Sequence, residues 1–189
     1  MNKRIKNLII DSILLAVLII ASKISIYTSF VPFTLQILIV LIISLLLNYK
    51  ESLIVIGIYI LMGIIGIPVF SSSVAGVASF VTPSFGFIIG FLAMSFFVPF
   101  TKKKLANRIN NRFLVNLLAS LIGLFIDYFF GFCYAIVLYK VLMVLETQMS
   151  TFKLLFNFVI VFIPFDIVKC LLASTIVKRL ENSKLIEEE

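Results

Sequence analysis

The chain contains no histidine. That removes the commonest metal ligand and the commonest general base. Cysteine is nearly absent too: Cys133 and Cys170 both sit in apolar stretches and read as small packing residues without a disulfide role. Charged residues make up 13% of the 189 positions, about half the usual ~25%. There is no G-x-x-x-x-G-K-[ST] loop, so the chain is not expected to bind and hydrolyse a nucleotide itself.

What is present is apolar. Hydrophobic residues account for 62% of the chain and the mean hydropathy is +1.21, where soluble chains sit near 45–50% apolar. A soluble fold of this size leaves roughly 30% of the unfolded chain's surface exposed and cannot hide that much apolar area. The composition excludes a soluble enzyme, a disordered chain and a nucleic-acid-binding domain. The solvent for most of this protein is a bilayer, and the net charge of +7 fits membrane orientation better than nucleic acid.

Length limits the architecture. A spanning helix needs about 20 residues, so about six fill the chain. The expected fold is all-α, one compact membrane domain over 1–189, with spans at about 8–26, 35–47, 52–67, 83–100, 113–138 and 152–177. The basic start MNKRIKN imitates a signal peptide, but no A-x-A-type cleavage site follows, and the first helix is expected to be retained. The second span is short and is expected to begin inside the preceding loop. Between the third and fourth lies SSSVAGVAS, small, polar and uncharged. Such backbone is tolerated beside a membrane where it is buried in protein or lines a cavity, which makes it a candidate ligand loop.

Lysine and arginine placement sets the orientation. With six spans, twelve of the sixteen basic residues share one side: Lys3, Arg4, Lys6 and Lys50, then Lys102, Lys103, Lys104, Arg108 and Arg112, then Lys178, Arg179 and Lys184. Both termini are expected to be cytoplasmic, with the 1–2, 3–4 and 5–6 loops outside.

Few ionisable groups remain within the membrane, where they are functional candidates by default: Lys23, Asp127, Asp166 and Lys169. Asp166 and Lys169 lie three residues apart, on one helical face, with Pro164 marking a helix start or kink just before them. They form either an ion pair that only fixes packing or an acceptor–donor pair for a polar ligand. Lys23 reads as snorkelling to the interface. Asp127 either faces a cavity or pairs with Lys23 or Lys140. Gln36 either donates to a ligand or is satisfied by backbone. Gly57, Gly63 and Gly66 favour close helix contact in the third span. Ser12 and Ala16 make a small-x-x-x-small pair that serves either internal packing or docking of another membrane subunit.

Four segments, in order, resemble the biotin-specific S-component (BioY) family of energy-coupling-factor (ECF) transporters. VPFTLQ at 31–36 is similar to the family's V-P-[IF]-T-L-Q. GIYILMGIIGIPVFSSS at 57–73 resembles its G-x-x-Y-L-x-x-G-x-x-G-x-P-V-F. IDYFFG at 126–131 resembles I-Y-x-x-G, and FIPFDIVKCLLA at 162–173 resembles F-[IL]-P-G-D-x-x-K. The resemblance covers about residues 8–180. The chain departs from the pattern at Ser71 and Ser72, where the family has glycines, at TPSFGF (82–87) in place of G-P-T-G-G-Y, and at Phe165 in place of glycine.

The resemblance implies a prokaryotic plasma-membrane protein that captures biotin outside and delivers it through an energising module. That module contains a membrane coupling subunit and two cytoplasmic ATPases. Biotin is then cargo, and no cofactor is implied. The family's polar contacts map onto Asp166, Lys169 and the loop at Ser73, and its docking surface onto Ser12 and Ala16. Biotin carries a ureido ring, an apolar thioether ring and a carboxylate. Asp166 is suited to accept from the ureido N–H groups and Lys169 to donate to a carbonyl or the carboxylate. Gln36 can add a donor, and Phe30, Phe33 and Phe70 can enclose the ring. The departures motivate an alternative with the same fold and another small vitamin, such as lipoate. A membrane enzyme would need a His, Glu or Cys cluster that the chain lacks; a scaffold without ligand is the remaining class.

Overall fold

The computed structural model describes residues 3–26, 31–72, 74–142 and 150–183. Ser73, Phe30 and Lys184, named above, lie outside them. Seven α-helices make up the described architecture: α1 (Lys3–Lys23), α2 (Gln36–Leu46), α3 (Tyr49–Ile64), α4 (Phe85–Ala106), α5 (Arg112–Val137), α6 (Thr151–Leu155) and α7 (Ile163–Asn182). Two-residue strands β1 (Ser25–Ile26) and β2 (Phe33–Thr34) pair antiparallel after α1, with Ser25 opposite Thr34 and Ile26 opposite Phe33.

Four helical stretches are long and apolar enough to cross a bilayer: Arg4–Lys23, Phe85–Ala106, Arg112–Lys140 and Thr151–Asn182. The other two expected spans are shorter. At eleven residues, α2 extends only about 16 Å, well under the ~30 Å hydrocarbon thickness. Its sequence QILIVLIISLL explains its place. Eight of its eleven residues are buried, and a helix apolar all round belongs inside a bundle. It packs on α4, α7 and α1. The 16-residue α3 is started by Asn48, whose side chain accepts from the N–H groups of Lys50 (3.0 Å) and Glu51 (3.1 Å). It ends at Gly66, whose φ of +101° is open to glycine. The Ile67 N–H closes the turn on Met62 O at 3.0 Å.

The helix ends also differ from the apolar runs. α1 begins in the basic start and stops at Lys23, where the chain turns into the small hairpin. α4 continues to Ala106 and α7 to Asn182, because lysines and arginines are good helix formers and favour the negative end of the helix dipole. The expected sixth span is broken. The Val161 N–H reaches back five residues to Phe156 O (3.2 Å), a widened turn of the kind that often marks functional sites. Pro164, at the start of α7, has no N–H to continue the ladder. Asp166 therefore stands in the first turn of α7.

The long packing axis is α4 against α5. Gly90 allows the approach: a Cβ there would collide with Asp127 Oδ1 and crowd its backbone. Gly63 admits the ring of Phe70, a folded-back loop rather than the helix neighbour expected. Gly57 is open, with nothing close to it. At the basic end, Lys102 Nζ bonds Glu181 Oε1 (2.6 Å) and Leu45 O (2.7 Å), tying α4 to α7 and α2.

Candidate ligand-binding site

A cavity of about 60 Å³ opens at the other end of the bundle. Pro32, Thr34 and Gln36 reach it from the first connection, and Ser71 and Ser84 from the stretch between α3 and α4. Phe87, Ile88 and Phe91 of α4 and Phe162 supply apolar wall. Asp127 and Tyr128 enter from α5, and Asp166 and Lys169 from α7. Aromatic walls with a few convergent polar groups are the usual makeup of a small-molecule site.

Asp166 is nearly enclosed, 4% exposed, and both its oxygens are engaged. Oδ1 accepts from Lys169 Nζ at 2.6 Å and Oδ2 from the Tyr128 hydroxyl at 2.6 Å. The i,i+3 spacing within α7 brings lysine to carboxylate, and the α5–α7 contact brings tyrosine. Tyr128 was not singled out in the sequence. Its signal is the tyrosine of IDYFFG, the segment that resembles the family's I-Y-x-x-G, but nothing local indicates that it meets a residue 38 positions away.

The floor is held by donors converging on two carbonyls. Ser22 Oγ donates to Val69 O (2.6 Å), the Tyr59 hydroxyl to the same oxygen (2.9 Å), and Lys23 Nζ to Phe70 O (2.6 Å). Lys23 therefore binds a loop instead of snorkelling. Tyr59 oxygen in turn accepts from Gln36 Nε2, so a buried side chain, not backbone, holds that amide. These bonds place Ser71 at the cavity.

Of the expected site residues, Gln36, Asp166 and Lys169 come together on the cavity. Phe33 stands beside it, its ring stacked on Phe162 at 4.2 Å and edge-on to Phe165 at 5.0 Å. Phe70 does not line it. It is 1% exposed, packed on Gly63 with its ring 5.6 Å from Tyr59 and 6.4 Å from Phe85. It anchors the loop whose carbonyl Lys23 binds. Asp127 faces the cavity and pairs with neither lysine considered for it, since Lys140 bonds Thr151 Oγ1 (2.6 Å). Ser12 and Ala16 lie on the exposed face of α1 with Ile9, Ile13 and Ile20 and do not line the cavity. Ser12 Oγ is satisfied by Leu8 O (2.7 Å).

A match to the BioY family spans residues 1–185. The chain belongs to the BioY family. It is 32% identical over 186 residues to "Biotin transporter BioY" of Lactococcus lactis subsp. cremoris, covering 96% of this chain and 93% of that one. It is 29% identical over 178 residues to "Probable biotin transporter BioY" of Pyrococcus horikoshii, covering 94% and 98%. Among solved structures it matches the crystal structure of the S-component for biotin from an ECF-type ABC transporter. The TM-score is 0.84 at 27% identity, over 98% of each chain. The BioY motifs at 31–36, 57–73, 126–131 and 162–173 border the cavity or brace it: Gln36, Ser71, Tyr128 and Asp166 belong to them. The chain is a multi-pass membrane protein with an S-component fold.

Proposed function

We propose that this chain is the biotin-binding S-component of an ECF-type importer and has no enzymatic activity of its own. The observation that carries the reading is the near-full-length likeness to a biotin S-component, in a chain whose cavity combines aromatic walls with Lys169, Asp166 and Gln36. Lipoate is not favoured by these relatives.

The site chemistry suits the cargo. Lys169 is the donor for the biotin carboxylate or carbonyl, aimed by Asp166, which the Tyr128 hydroxyl steadies. Gln36 and Ser71 add polar contacts, and Phe33, with Phe162, covers the apolar ring. Phe70 contributes by fixing the loop.

The energising module consists of a membrane coupling subunit and two ATPases. It docks on the α1 face around Ser12 and Ala16, where small side chains interrupt exposed isoleucines and let a partner helix approach closely. Both termini are placed in the cytoplasm, since twelve of the sixteen basic residues lie in the tails and connections that six spans put on one side. The chain works as one membrane domain in a prokaryotic plasma membrane.

Labelled-biotin binding to the purified protein tests the reading; no saturable binding overturns it. Ser12→Trp tests the docking face. Biotin binding should stay within about twofold while uptake driven by the energising module falls at least about tenfold.

A further inference from the structure

From the sequence, Gln36 is expected to add a donor to the ligand. The structure spends that donor inside the protein. Gln36 opens α2, lines the cavity and is 3% exposed. Its Nε2 donates to the Tyr59 hydroxyl oxygen. That hydroxyl in turn donates to Val69 O at 2.9 Å, and the two bonds are not independent.

A carbonyl oxygen only accepts, and a tyrosine hydroxyl carries one proton. The bond to Val69 O uses that proton. The Tyr59 oxygen is left as an acceptor, and only the NH2 end of the Gln36 amide satisfies it. With Gln36 turned over, its Oε1 and Val69 O would compete for the single proton, and one of the two contacts would set oxygen against oxygen. Tyr59 has no room to relax such a clash: it is 0% exposed, with its ring 5.6 Å from that of Phe70. The hydrogen-bond network therefore fixes which end of the amide faces which way. Among the described residues nothing donates to Gln36 Oε1, yet it is not one of the enclosed oxygens left without a partner. It keeps contact with the cavity that Gln36 lines.

We propose that Tyr59, which does not line the cavity itself, is a positioning residue of the ligand site: it makes Gln36 an acceptor there, for an N–H of the ligand. The assignment rests on the biotin reading above. The ureido N–H groups are the only N–H donors of biotin, so Gln36 Oε1 takes one of them, beside the Asp166–Lys169 pair that lines the same cavity.

The test measures binding to wild type, Gln36→Met and Tyr59→Phe. The ligands are biotin, its two mono-N-methyl ureido analogues and the analogue whose ureido C=O is replaced by C=S. Wild type should bind one N-methyl analogue at least about tenfold more weakly than biotin, through the bond lost to Gln36. In Gln36→Met that penalty should shrink to about threefold or less. In Tyr59→Phe it should shrink part of the way, because the released amide turns freely. Methionine keeps the length of glutamine, so any clash of the methyl group with the walls is common to all three proteins. The C=S penalty should stay within about twofold throughout. A merely structural role of Tyr59 would weaken all four ligands alike and move neither ratio. The acceptor role of Gln36 is overturned by a wild type that binds both N-methyl analogues as well as biotin, or by N-methyl penalties that survive Gln36→Met. A changed C=S penalty in Gln36→Met also overturns it, since the amide then donates. Wild-type ratios in Tyr59→Phe, or an equal loss for every ligand, overturn the positioning role. If Tyr59→Phe does not fold, Gln36→Met decides alone, because an amide that donates to the ligand is not held by Tyr59. Wild type that binds no biotin overturns the functional reading itself, a result distinct from a biotin-binding wild type whose ratios ignore Gln36.

Discussion

Each end of the bundle holds a buried carboxylate–lysine pair at 2.6 Å, Asp166–Lys169 at the cavity and Glu181–Lys102 at the basic end. The pairs are built differently. Lys102 and Glu181 are 79 residues apart, and Lys102 also bonds Leu45 O, so three helices meet in one knot. Asp166 and Lys169 sit on one turn of one helix, and their bond adds nothing to chain connectivity. Asp166 spends its second oxygen on Tyr128 and leaves the lysine facing open space. A long-range pair closes a fold; a local pair beside a cavity presents a charge. Breaking either strands a buried charge, at about 3–5 kcal/mol, but the loss should register in stability at one end and in ligand affinity at the other.

The sharpest way to break that distinction is at the cavity. Lys169→Ala or Asp166→Asn should weaken biotin binding at least about tenfold, measured by calorimetry, with a smaller fall in ligand-free melting temperature than at the basic end. Unchanged affinity in both would remove the pair from the site. The reciprocal variant, Glu181→Gln, should lower the melting temperature by several degrees, as a loss of about 3 kcal/mol would, while biotin affinity stays within about threefold. Gly90→Ala, which puts a methyl group against Asp127, should cost about 1–3 kcal/mol of stability by overpacking and weaken biotin as well. Tyr128→Phe, the mildest change, removes one charge-assisted hydrogen bond. It should reduce affinity about fivefold to tenfold and leave the melting temperature nearly unaltered.

Much of this was legible along the chain. The long apolar runs announced α1, α4 and α5 to within a few residues in their apolar parts, since a bilayer demands about 20 such residues wherever they occur. Asp166 and Lys169 were legible because helical periodicity places i and i+3 on one face. The short α2 was also visible as a short run. That it is enclosed by other helices was not, because burial depends on what surrounds it. Phe70 misled for the same reason: an aromatic in a polar loop can cover a ligand or pin the loop, and Gly63 decides for pinning.

The amino-acid sequence by itself determined the solvent, the helical class, the basic end and the local acid–lysine pair. Each follows from composition or from a spacing shorter than two helical turns. Tertiary structure alone decided that Lys23 holds a loop carbonyl, that Tyr128 crosses to Asp166 and that Asp127 packs against Gly90. These relations join residues 38 to 47 positions apart, or depend on a gap no wider than a glycine. Hydrogen bonds and close packing act over a few ångströms in space, and only the folded chain brings such distant positions that near.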